Sequence, residues 1–202
     1  MQLCLTLDHR FLQTPDGRVW TVTQCPYDFY SEYLEIFDSV RVVARTFPVA
    51  KPQPDYLAVE GPEVEFCPVT SYRGPIEFIA RNSAIRRSVR DAVPNRAAVI
   101  FRVPSQVANS VEAILRARRH PYAIDVVADP YDVLSPAANS HPAARVARVY
   151  FTRKMKRQVK QAIAVRYVTQ TYLQRRYPAR ADACRVTPSG RCRRRCGICP
   201  AW

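Results

Sequence analysis

Ala97-Ala98-Val99-Ile100-Phe101-Arg102-Val103 runs directly into Pro104-Ser105-Gln106, and then into Val107, Val111, Ile114 and Leu115. The first seven residues are almost wholly apolar and too few for a helix, which predicts a strand buried on both faces. Proline and serine then open a helix whose apolar residues return at helical spacing. The same strand-then-helix phrase recurs in both directions. Upstream, strands are predicted over 2–8, 18–22, 39–45 and 64–69, with a helix over 27–37 and another over 75–92. In that second helix Ile76, Ile79, Ile85 and Val89 fall near one face. Downstream come a strand over 121–127, a long basic helix over about 142–161, a strand over 163–168, and a short helix from Thr169 to Tyr177. Residues 46–62 hold Pro48, Pro52, Pro54 and Pro62 and read as loop. Continuous apolar strands alternating with helices predict an α/β domain with a doubly wound, mostly parallel sheet over 1–178. No internal repeat is present.

The chain has 202 residues, 48% hydrophobic and 24% charged, which are globular proportions. No apolar run reaches the roughly 18 residues of a membrane span, and the N-terminus lacks the basic start of a signal peptide. A cytoplasmic location is the expectation. The net charge of +14 favours anionic partners. A basic nucleic-acid-binding α/β module is therefore the rival reading. The arginines are dispersed, however, and no helix-turn-helix or RRM signature appears, so nucleic acid is disfavoured. The absence of GxGxxG and GxxxxGK[ST] argues against dinucleotide or P-loop binding.

Cys4, Cys25 and Cys67 sit among apolar neighbours and read as buried thiols. The tail over 179–202 obeys other rules. It carries six arginines, one aspartate, and Cys184, Cys192, Cys196 and Cys199, with neither helical nor strand periodicity. It reads as a disordered or aberrant segment, of the kind that out-of-frame translation of a GC-rich gene yields. Cys192-x3-Cys196-x2-Cys199 also has the spacing of a cluster-binding loop, and a disulfide clip is a third reading. The expectation is that no metal is bound.

In doubly wound folds the working surface lies at the carboxyl ends of the strands. Four sets of polar residues fall there: Asp8-His9-Arg10, Ser71-Tyr72-Arg73-Gly74, Arg102 with Ser105-Gln106, and Asp129-Pro130-Tyr131-Asp132. The segments 99–105, 125–132 and 164–178, with the opening Asp8-His9-Arg10-Phe11 and the later Asp16-Gly17, resemble the N-terminal domain of group 1, family-4-like glycosyltransferases. The resemblance covers about residues 1–178. It implies the Rossmann-like, acceptor-side half of a two-domain GT-B enzyme that moves a sugar from a nucleotide-sugar donor to a saccharide or lipid-linked acceptor. The donor-binding half has no room here, so the chain is expected to be incomplete alone. No cofactor is expected within it. One departure is that no glycine follows the first strand until Gly17.

Within that frame, Asp8, Asp129 and Asp132 can accept hydrogen bonds from sugar hydroxyls, and Ser105, Gln106 and Tyr131 can donate or accept them. Arg10, Arg73 and Arg102 can clamp an anionic acceptor or a phosphate. Asp129 and His9 are the candidate catalytic bases. Residues 145–160 carry seven Lys or Arg and no acid, with Phe151, Met155 and Val159 at four-residue spacing. That is the pattern of a helix able to lie on an anionic membrane surface.

Overall fold

The computed structural model describes residues 1–137 and 143–186. They form two compact units: Met1–Ile100 with Ser105–Arg119, and Phe101–Pro104 with the described residues from His120 onward.

In the first unit, β1 (Gln2–Thr6), β4 (Ser39–Pro48) and β6 (Val64–Val69) pair in parallel, with Leu3 opposite Val40 and Val42 opposite Phe66. Leu3, Cys4 and Leu5 are fully buried in succession, which requires cover on both faces and explains the unbroken apolar run. Burial also pushes the Cys4 thiol up to about 12, so it remains protonated. On the other side of β1 lies β7 (Ala98–Val103), whose first three residues belong to this unit. The helix α4 (Gln106–Ala117) buries Val107, Val111 and Leu115, the predicted stripe.

Two expectations for this unit need correction. Residues 46–62 are not all loop. The strand β4 continues to Pro48 because β2 (Phe11–Gln13) pairs in parallel with Thr46–Pro48. The hairpin β2–β3 (Val19–Thr21) and β5 (Leu57–Ala58) then extend the sheet with antiparallel strands. Strands of two or three residues are too short to show a period. The Pro15-Asp16-Gly17 turn is as expected: Gly17 adopts φ +88°, and its N–H donates to the Thr14 carbonyl at 2.9 Å.

The second correction concerns the helices. Instead of one helix over 75–92 there are two, α2 (Gly74–Ala80) and α3 (Asn82–Ala92), broken at Arg81 with φ −99° and ψ 11°. A break of that kind resets the helical phase. Ile85 and Val89 are buried as expected, whereas Ile76 and Ile79 are 82% and 74% exposed. Likewise the helix expected over 27–37 is a 3-10 turn (Tyr27–Tyr30) followed by a single turn, α1 (Ser31–Leu34). Its aromatics Tyr30, Tyr33 and Phe37 still form core.

In the second unit, the end of β7 is followed in the sheet by β8 (Ala123–Val126), β9 (Ala164–Tyr167) and β10 (Cys184–Val186), the last three in parallel. Asp125 and Arg166 stand opposite each other in this register. They form a two-pronged pair, with Nε to Oδ1 and Nη2 to Oδ2 both at 3.1 Å. The helices are α5 (Pro130–Val133), α6 (Ala144–Gln161) and α7 (Tyr172–Arg176). As expected for α6, Met155 and Val159 are buried. The tail expectation fails over Cys184–Val186: these residues form β10, and Cys184 is buried. Parallel addition to β9 gives this segment the backbone partners that a three-residue pattern cannot advertise. Cys192, Cys196 and Cys199 lie outside the described residues. Among the described residues no helix is long and apolar enough to cross a membrane.

The architecture is mixed α/β with a mostly parallel sheet, as the alternating pattern predicted.

Candidate functional site

The first unit gathers its polar residues just past the carboxyl end of β1. The Leu7 N–H donates to the Val43 carbonyl at 3.1 Å, which holds the chain in sheet register up to Asp8. Asp8 Oδ1 takes Arg45 Nη2 at 2.5 Å, and Oδ2 accepts the Gln106 backbone N–H at 2.6 Å. Gln106 is the first residue of α4, so the carboxylate sits at the positive end of a twelve-residue helix. Ser105 caps that same end, its Oγ accepting the Ala108 N–H at 3.0 Å. Arg45 also donates to the Tyr72 carbonyl at 3.0 Å and lies 4.4 Å over the Tyr72 ring. Burial first, and the Asp8 charge second, raise the Tyr72 hydroxyl above its ordinary range, with Arg45 opposing, so Tyr72 stays neutral.

His9 lies half-buried beside the same strand end. Its Nε2 is 3.0 Å from Thr21 Oγ1, and its ring meets Phe11 edge-on at 5.1 Å. Thr21 donates its single hydroxyl proton to the Gln24 carbonyl at 2.6 Å. It can therefore only accept from His9, which assigns the proton to Nε2 and leaves Nδ1 with a lone pair. Burial lowers the pKa of His9, favouring the neutral ring.

Arg10 and Arg73 converge on one aromatic ring. Their guanidinium carbons lie 5.8 and 5.7 Å from the centroid of Phe47. Neither forms an ion pair among the described residues. At the ends of β2, β4 and β6 a groove of about 540 Å³ opens, lined by the hydroxyls of Thr14, Thr46, Thr70 and Ser71 and by Pro48 and Pro68, with no charged side chain in its wall.

The second unit gathers Asp129, Tyr131 and Asp132, in a different chemical state. Asp129 is 6% exposed, and donors reach both of its oxygens. Oδ1 accepts from the Tyr131 N–H at 2.8 Å and from the Tyr177 hydroxyl; Oδ2 accepts from Arg176 Nε at 2.8 Å, with the Tyr172 hydroxyl oxygen 3.2 Å away. The single Tyr172 proton goes to Asp132 Oδ2 at 2.7 Å, the main reason its hydroxyl is pushed up to about 12. The Tyr131 ring lies between Arg148 at 3.3 Å and Arg176 at 4.0 Å. Asp129, expected as a catalytic base, ties α5 to α7 through these bonds. Arg102 lies within β7, part-buried, as the predicted strand over 97–103 places it.

Sequence reasoning did not anticipate Arg45, Phe47, Arg148, Tyr172, Arg176 or Tyr177 as site residues. A signal existed for Arg45, a cation near the end of an otherwise apolar strand. For the others the partners are set only by tertiary folding.

No protein-family model matches the chain. Over 152 residues it is 24% identical to Protein CapJ of Staphylococcus aureus, a match that takes in 75% of this chain and 38% of CapJ. Among solved structures it is similar to LpCGTa in complex with UDP (TM-score 0.45, 10% identity, 83% of this chain and 47% of that one). A second similar structure is a ugt transferase from Siraitia grosvenorii in complex with UDP (TM-score 0.39, 10% identity, 88% and 47%). The chain spans less than half the length of each of these proteins.

Proposed function

We propose that the chain is the acceptor-side domain of a glycosyltransferase of the group 1, family-4-like kind, working with a nucleotide-sugar donor held elsewhere. The observation that carries this reading is His9. Its Nε2 proton is committed to Thr21, and its half-buried ring is biased towards neutrality, which leaves Nδ1 to accept a proton from an acceptor hydroxyl. The uncharged, hydroxyl- and proline-lined groove suits a saccharide, since prolines offer flat C–H surface and the Thr46 and Thr70 hydroxyls, whose protons go to Gln13 and Ser88, keep acceptor capacity for sugar hydroxyls. Arg10 and Arg73 supply positive charge for an acidic or phosphorylated portion of the acceptor. Asp8 acts through Arg45 and the start of α4, positioning the loop that bears His9 and Arg10.

Saccharide binding tests this reading. Saturation-transfer NMR with neutral and acidic oligosaccharides should show contact that Thr46→Val and Thr70→Val weaken. Arg10→Gln with Arg73→Gln should weaken contact for the acidic ligands alone. If no saccharide in the panel binds, the acceptor reading is lost.

Docking of α6 on an anionic membrane surface belongs to the same proposal. Val146 is 74% exposed and Val149 and Tyr150 are each 48% exposed, on a helix whose residues 145–160 carry cations and no acid. Vesicles containing phosphatidylserine should sediment the protein, neutral vesicles should not, and Val146→Glu with Val149→Glu should release it. Sedimentation that ignores lipid charge would overturn the docking.

A further inference from the structure

We propose that the second unit carries its own binding site for a small phosphate-bearing saccharide, in a cavity at the carboxyl ends of β9 and β10. The cavity measures about 280 Å³ and is bounded by Tyr167, Pro178 and Val186 on its apolar side and by Gln170, Arg175 and Arg185 on its polar side. Crevices outside the carboxyl ends of parallel strands are where α/β folds place ligands.

The lining contains two guanidinium groups and no carboxylate. The nearest acid in sequence, Asp182, is paired with Arg180 at 2.8 Å. Among the described residues, Arg175 and Arg185 form no ion pair of their own. Arg185 is held only by long contacts, from Nη2 to the Ala179 and Arg180 carbonyls at 3.4 Å each. Most of its donors thus remain available to a ligand oxygen, and two guanidiniums lining one cavity suit a doubly charged phosphoryl group better than a single carboxylate.

The rest of the lining suits a sugar. Gln170 and Thr171 present amide and hydroxyl groups for ring hydroxyls, while Pro178 and Val186 give apolar surface for a C–H face. Tyr167 does not compete for the ligand, because its hydroxyl donates to the Tyr177 carbonyl at 2.6 Å. The volume admits one ring with its phosphate and excludes a long glycan. The site stands whether or not the protein transfers sugar, because it shares no residue with the first unit's groove or with His9.

The experiment is calorimetric titration of the 202-residue chain with glucose 1-phosphate, glucose and inorganic phosphate, at fixed ionic strength. Glucose 1-phosphate should bind saturably and more tightly than either fragment. Arg175→Gln and Arg185→Gln should each weaken it about tenfold, the loss expected for one charge-assisted contact. Arg87→Gln, on the exposed side of α3 and outside both candidate sites, should leave it unchanged. Three outcomes would overturn the proposal: no saturable binding, equal binding of glucose, or equal weakening by Arg87→Gln. The last would mark diffuse attraction to a basic protein. Arg175 is exposed, so its variant should melt like the parent and is decisive even if Arg185→Gln folds poorly.

Discussion

His9 and Asp129 are both potential bases near strand ends, yet the structure puts them in opposite conditions. Asp129 accepts from three donors and is nearly buried; His9 spends one nitrogen on Thr21 and keeps the lone pair of the other. The difference lies in how many of each group's hydrogen-bonding positions the protein itself consumes. A carboxylate gripped by three donors holds structure together. A half-satisfied imidazole retains capacity for chemistry.

The largest effect that sharpens this contrast is expected at Asp129. Asp129→Asn turns one acceptor oxygen into a donor facing donors, and should cost about 3 kcal/mol of stability. Tm should fall by roughly 10 °C for a chain of this size, read by circular dichroism. An unchanged Tm would mean that Asp129 is not structural.

Ile85→Ala should cost a similar amount, about 3 kcal/mol, by emptying a core position, while Ile79→Ala should change stability by less than about 0.5 kcal/mol. Equal costs would restore the single uninterrupted helix that the sequence pattern suggests. Asp8→Asn is expected to cost less than Asp129→Asn, about 1 kcal/mol. Its pair with Arg45 is partly solvated, with side chains 21% and 15% exposed, although one acceptor for Gln106 N–H survives.

The smallest effect belongs to His9. His9→Gln should leave Tm at pH 7.5 unchanged. The pKa of His9 is lowered in the folded protein, so as pH falls below the ordinary 6.5 the unfolded chain takes up the proton first, and the folded state loses stability. Above that pH the contribution is fully present. The parent should therefore lose more Tm than His9→Gln between pH 7.5 and pH 5. Parallel losses would show that His9 titrates normally.

The legible parts of the sequence were those where burial is continuous. In β1, β4 and β7 the runs Leu3–Leu5, Val42–Ala44 and Val99–Phe101 are buried residue after residue, with no polar interruption to confuse the reading. The stripe Val107, Val111, Leu115 with its Ser105 cap was equally plain. What escaped was short or broken: β2, β5 and β10 are too brief for a period, and the turn at Arg81 resets a phase that the letters alone carry straight through. Arginine and cysteine in the tail masked β10, because composition says nothing about a neighbouring strand's need for a partner.

Residue order by itself determined that buried strands alternate with helices, and that Asp8, His9, Arg10, Arg73 and Asp129 follow strand ends. Those follow from local spacing and burial, which a linear chain records. Tertiary structure alone decided which side chains meet: Arg45 with Asp8, Thr21 with His9, Phe47 with two arginines, and the tyrosines with Asp129. The reason is geometric. The proton on His9 and the bond from Tyr177 to Asp129 depend on partners 12 and 48 residues away, brought close only when the sheet and its helices pack.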